Sequence, residues 1–153
     1  MKKYLKLFAS FAMTFLIAFL GSSVTTPGVG NWYQTINKPI FNPPNWIFAP
    51  IWTLLYILMA IAFYLVWTNK GFKKIHFKLY ANQLLLNYLW SFMFFFLQKP
   101  LWAFINIVLL ITFVAIMCNL FYKVNKTAGY LILPYLLWIS FASVLNFAIV
   151  LLN

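Results

Sequence analysis

The stretch NKPIFNPPNWIFAPIWTLLY, Asn37 to Tyr56, crowds four prolines and two tryptophans into the entrance of an otherwise apolar helix. Proline favours helix starts and stops, because its ring fixes φ and removes the N–H donor. Asn42 can cap the helix that follows, and Pro43 or Pro44 suits its first position, where a missing N–H costs nothing. Pro50 lies further in and cannot donate to the carbonyl of Trp46. That predicts a bend near the mouth of the helix and a backbone carbonyl in need of another partner. Such a bend turns Trp46 and Trp52 into different environments at one end of the molecule. The plainer alternative is a proline-initiated helix whose tryptophans anchor it at a membrane interface.

Outward from this stretch the chain stays apolar. Of its 153 residues, 65% are hydrophobic and 22% aromatic, and the net charge of +11 comes from lysine alone. An apolar share this high defines a membrane protein. With no Asp or Glu, paired-acid hydrolysis, a Ser/His/Asp triad and carboxylate-bound Mg²⁺ or Ca²⁺ are excluded. One histidine, His76, and one cysteine, Cys118, do not make a metal site, so no metal and no required cofactor is expected. Cys118 sits in an apolar run, where a buried small hydrophobe is the simpler role than redox chemistry. The lysines lie scattered at helix ends and form no solvated basic face, which argues against nucleic acid as a partner.

A helix crossing about 30 Å of hydrocarbon needs about 20 apolar residues. Five such segments are predicted near 4–25, 46–67, 79–98, 101–122 and 130–152, with residues 26–45 as a lid loop and 1–153 as one domain. TTPGVGN, NKGFKKIHFK, QKP and KVNKTAG punctuate the breaks. The fold class is therefore an all-α integral membrane protein, five transmembrane helices in one up-and-down bundle. The first run is expected to be retained and not cleaved as a signal peptide, since it exceeds a typical signal core. Ser10, Thr14, Ala18 and Ser22 recur four apart along it, a stripe that lets a neighbouring helix approach closely. With five crossings, nine lysines share the side of the amino terminus, and Lys38 and Lys99 hold the other. Positive residues stay cytoplasmic during insertion, so the expectation is a cell-membrane protein with the amino terminus inside and the carboxyl terminus outside.

Three helices bear repeated strips. Gln83, Asn87, Trp90 and Phe94 follow at i, i+4, i+7 and i+11 on the third. Amides in lipid cost a few kcal/mol each when unsatisfied, on the order given by transfer data, so these point into the bundle as interhelical glue or as ligand-orienting groups. The fourth helix repeats the spacing with Trp102, Asn106, Leu109 and Phe113, and the fifth with Tyr135, Trp138, Ala142, Leu145 and Ile149. Together with Trp52 on the second helix, these indoles predict a flat aromatic cavity that opens toward the prolines and favours planar apolar ligands by stacking.

The blocks KPIFNPPNWIFAPIWTLLY, QLLLNYLWSFMFFF, LWAFIN and LPYLLWISFASVLNFAIVLLN, with Trp32–Tyr33 before them, resemble the translocator protein or tryptophan-rich sensory protein family over nearly the whole chain. The resemblance implies five membrane helices, commonly a homodimer, and a pocket under the first loop for porphyrins such as protoporphyrin IX, haem-like tetrapyrroles, steroids and isoquinoline carboxamides. By position, it implies pocket residues Ser22 and Thr25; Phe48, Ala49, Ile51 and Trp52; Asn87 and Trp90; Trp102, Ile105 and Leu109; and Trp138, Ala142 and Leu145, with Trp32 and Tyr33 in the lid. Two departures stand out. Phe147 replaces the tyrosine of the cholesterol-recognition segment with no lysine after it, so cholesterol binding does not transfer. A looser match to that segment occurs at Leu120, Tyr122 and Lys126. Asn106 stands where many members have Asp, which removes an intramembrane acid.

Binding and sensing is the first functional expectation. Light- and oxygen-dependent porphyrin degradation is the second, with Trp52 and Trp138 as oxidisable groups. Transport of tetrapyrroles or steroids lacks an internal repeat and an ion-coupling residue in this sequence. A structural membrane subunit is the bland alternative, in which the strips serve packing alone.

Overall fold

Inside hydrocarbon every backbone polar group must be satisfied within the segment, so apolar runs of this length become helices. The computed structural model describes residues 2–153. It contains α1 (Lys3–Gly30), the short α2 (Trp32–Thr35), a 3₁₀ turn (Asn45–Ile47), α3 (Phe48–Trp67), α4 (Lys74–Ser91) with a π-helical turn at Phe92–Phe96, α5 (Pro100–Val124) and α6 (Lys126–Leu152). No strand occurs among the described residues. Of the five long helices, those containing α1, α3, α5 and α6 are each long and apolar enough to cross a membrane. α4 is the polar exception, with Gln83 and Asn87 buried in its inward face.

The lid is shorter than expected. α1 runs to Gly30, five residues beyond the predicted stop at 25, because Pro27 interrupts only one backbone bond and Asn31 N still reaches Pro27 O at 3.1 Å. Pro50 lies nearer the start of its helix than expected. α3 begins at Phe48, so Pro50 falls in the first turn, where N–H groups have no helical acceptor and none is lost. Asn42 is not the cap: its Oδ1 accepts the Tyr33 hydroxyl, and its Nδ2 donates to Pro43 O at 3.2 Å, which folds the lid on itself. Trp46 is exposed on the 3₁₀ turn, as an interfacial anchor would be.

The end of the bundle away from the lid is solid. Met59, Phe63, Tyr80, Met117 and Phe121 are fully buried there, with Phe63 stacked on Tyr80 at 4.2 Å and 5°. α1 docks on α3 through Ser10, whose Oγ donates to Ala60 O at 2.6 Å, and through Lys6, whose Nζ donates to Trp67 O at 2.9 Å. α5 and α6 approach so closely at Gly129 that a Cβ there would stand 2.7 Å from the Tyr122 Cα.

Candidate functional site: an aromatic cavity under the lid

Nearer the lid the helices part around a cavity of about 560 Å³, within the usual range of small-molecule sites. α3 supplies Phe48, Ala49, Trp52 and Tyr56; α4 and its π turn supply Trp90, Phe94 and Phe95; α6 supplies Trp138, Ala142, Leu145 and Asn146. The wall facing them comes from α1, chiefly Ala18, Ser22 and Thr25, and Tyr33 closes the top. The indoles form one surface. Trp52 and Trp90 lie 6.3 Å apart at 31°, Trp90 stacks on Phe94 at 5.6 Å, and Trp138 meets Phe48 at 6.1 Å.

Hydrogen bonds beneath and beside the cavity fix these rings. Asn87 is buried under the floor, where its Oδ1 accepts from Tyr56 at 2.7 Å and its Nδ2 donates to the Tyr135 hydroxyl at 3.0 Å. That hydroxyl donates on to Gln83 Oε1 at 3.0 Å. The amide strip of α4 is thus tied to α3 and α6, the glue arrangement, and Trp52 rests on the two tyrosine rings at 5.7 and 6.3 Å. On the side wall Trp90 Nε1 donates to Asn146 Oδ1 at 3.1 Å, and Asn146 Nδ2 donates to Pro100 O at 2.9 Å. Among the fully shielded side-chain donors of the described residues, Trp138 Nε1 alone has no acceptor.

Of the residues expected in the pocket, Ser22, Thr25, Tyr33, Phe48, Ala49, Trp52, Trp90, Trp138, Ala142 and Leu145 line this cavity. Asn87 lies one layer below it. Ile51 packs into the core beside the cavity, and Trp32 sets its edge on Phe94 at 5.4 Å from the outer side. The strip predicted on the fourth helix is corrected. Trp102, Ile105 and Leu109 are 62%, 54% and 48% exposed, while Ala103, Asn106, Ile107, Leu110 and Val114 form the buried face of α5. The spacing was right and the phase was off: Asn106 turns inward to donate to Leu86 O at 2.8 Å, and that fixes Trp102 on the outer surface.

Sequence reasoning missed Asn146 and Phe95. Asn146 offers the same signal as Asn87, an amide within an apolar run. Phe95 had no signal, since a regular helix would turn it away from Phe94. The π turn adds a residue, so both rings are buried, and Leu97 N bonds to Phe92 O at 2.9 Å. Gly28 makes room for it, because a Cβ there would lie 2.7 Å from the Phe95 Cβ.

Five long helices, four of them long and apolar enough to cross a membrane, surround an aromatic hollow and define a helical membrane protein. The family model TspO/MBR family matches residues 10–152, and the chain belongs to this family. The tryptophan-rich protein TspO of Archaeoglobus fulgidus is 47% identical over 150 residues, 97% of either chain. The tryptophan-rich sensory protein of Cereibacter sphaeroides is 37% identical over 144 residues, covering 92% of this chain and 90% of its own. The translocator protein of Bos taurus is 37% identical over 133 residues, 84% and 79%.

Proposed function

We propose that this membrane protein is a receptor or sensor that binds porphyrins, such as protoporphyrin IX and haem-like tetrapyrroles, and drug-like isoquinoline carboxamides in the aromatic cavity. The observation behind this reading is the aromatic wall of the cavity, in which Trp52 and Trp90 lie 6.3 Å apart and Trp138 joins them through Phe48. A flat apolar ring system gains from stacking on Trp52 and Trp90. Sensory and translocator relatives agree with a receptor role. Quenching of tryptophan fluorescence by protoporphyrin IX tests it: Trp138→Phe weakens binding, and full binding in both Trp52→Ala and Trp138→Ala variants rejects the cavity.

The homodimer and the topology belong to the same proposal. Mass measurement in nanodiscs reads the first. A reporter fused after Asn153 reads the second, with activity expected only outside the cytoplasm.

A second reading has one observation in its favour. Trp52, Trp90, Tyr56 and Tyr135 form a continuous group of oxidisable rings, each within 6.3 Å of Trp52. Light- and oxygen-dependent degradation of a bound porphyrin requires confinement and oxidisable indoles and no acid or base. Equal bleaching of free and protein-bound porphyrin, to the same products, rules it out.

A further inference from the structure

α1 changes partners along its length. At the solid end Ser10 and Thr14 are fully buried, and Ser10 holds α1 to the backbone of α3. Toward the lid the close approaches are made instead to α4: Gly21 faces Ser91 Oγ, for which its Cβ would be 3.8 Å away, and Gly28 meets Phe95. α1 is thus held to α3 at the solid end and to α4 and its π turn toward the lid. Between α1 and α3 this leaves a slot beside the cavity.

The slot is bordered by residues that both line the cavity and lie exposed on the flank. They are Phe19, Ser22 and Thr26 on α1, Asn45 on the 3₁₀ turn, and Ala49 and Thr53 on α3. Each set follows a helical stripe, at i, i+3, i+7 and at i, i+4, i+8. Hydroxyls facing hydrocarbon are costly unless bonded. Here the Ser22 Oγ donates to Phe19 O at 2.9 Å and the Thr53 Oγ1 to Ala49 O at 2.8 Å, so these hydroxyls tolerate apolar surroundings. The roof is tied. Asn153 Nδ2 donates to Asn37 O at 2.9 Å, Asn37 N donates back to Asn153 Oδ1 at 3.0 Å, and Lys38 and Asn42 both bind Tyr33, which is buried among Phe48, Phe94 and Phe95.

We infer that the cavity exchanges its ligand sideways with the bilayer, through the slot between the lid-end halves of α1 and α3, while the lid stays latched. This rests on the proposed binding of a planar apolar molecule and narrows the ligand class to compounds already dissolved in lipid. The test follows the on-rate of protoporphyrin IX, delivered from preloaded vesicles to protein in nanodiscs, by quenching of tryptophan fluorescence. Thr53→Phe and Ser22→Phe, each narrowing the slot, slow association by about tenfold or more, whereas Asn153→Ala, which unties the roof, leaves it within about twofold. Faster association in Asn153→Ala with wild-type rates in both slot variants overturns the inference. Thermal unfolding checks each variant, and Thr53→Leu replaces any that fails to fold. If the wild-type protein binds no porphyrin, the proposed function falls, and the slot is judged separately. Brominated-chain phospholipid then quenches the emission lost in Trp52→Phe, and Thr53→Phe relieves that quenching; equal quenching in both backgrounds rejects the slot.

Discussion

The two ends of this bundle are built from the same helices and the same aromatic residue types, yet one is solid and the other hollow. At the solid end Phe63 and Tyr80 stack face to face at 4.2 Å, and Ala60, Ala62 and Ser10 let backbones close around them. Under the lid Trp52 and Trp90 stand 6.3 Å apart, and α1 has left α3 for α4. Aromatic content therefore does not make a cavity. What matters is whether neighbouring backbones can close over the rings or are held apart, here by a π turn at Phe92–Phe96 and by amides that pin tyrosine and indole groups.

Substitutions at the two ends should separate cleanly. The largest effect is expected from Phe63→Ala at the solid end, which removes a fully buried ring among stacked neighbours and costs about 3–5 kcal/mol, read as thermal unfolding in detergent. Overpacking the α5–α6 contact with Gly129→Ala comes next, at about 1–3 kcal/mol by the same measurement, since the nearest atoms include backbone. Between the two ends, Asn87→Leu strands the Tyr56 hydroxyl and leaves the Tyr135 hydroxyl only its bond to Gln83. It is expected to cost about 1–3 kcal/mol and to blue-shift or broaden the emission of Trp52, whose ring rests on those tyrosines. In the hollow end a double-mutant cycle on Trp90→Phe and Asn146→Leu returns a coupling of about 0.5–1.5 kcal/mol, because one hydrogen bond joins them. The smallest stability change, under about 1 kcal/mol, belongs to Trp138→Phe, whose indole N–H has no protein partner to lose. If Trp138→Phe unfolds the protein as readily as Phe63→Ala, the hollow end is packing and the contrast fails.

Much of this contrast was legible residue by residue. The amides at Gln83 and Asn87 announced the inward face of α4, and Tyr135, Ala142 and Ile149 that of α6, because an unsatisfied polar group cannot face lipid and a helix repeats every 3.6 residues. The same logic failed on α5, where Trp102 and Asn106 were assigned to one strip. A strip spans a range of angles, and only the Asn106 bond to Leu86 O selects which edge of it faces in. Phe95 and Gly28 were beyond pattern reading, since a π turn shifts the phase of everything after it and no residue type announces one.

Composition and spacing alone determined that this chain lives in a membrane, that five helices form it, and that it carries no side-chain carboxylate. Those follow from local quantities: hydrocarbon thickness, backbone satisfaction and residue identity. Where α1 parts from α3, how the lid is latched, and which indoles share one surface were decided only by the tertiary fold. They depend on distances between backbones far apart in sequence, which two glycines, one π turn and a handful of buried amides set together.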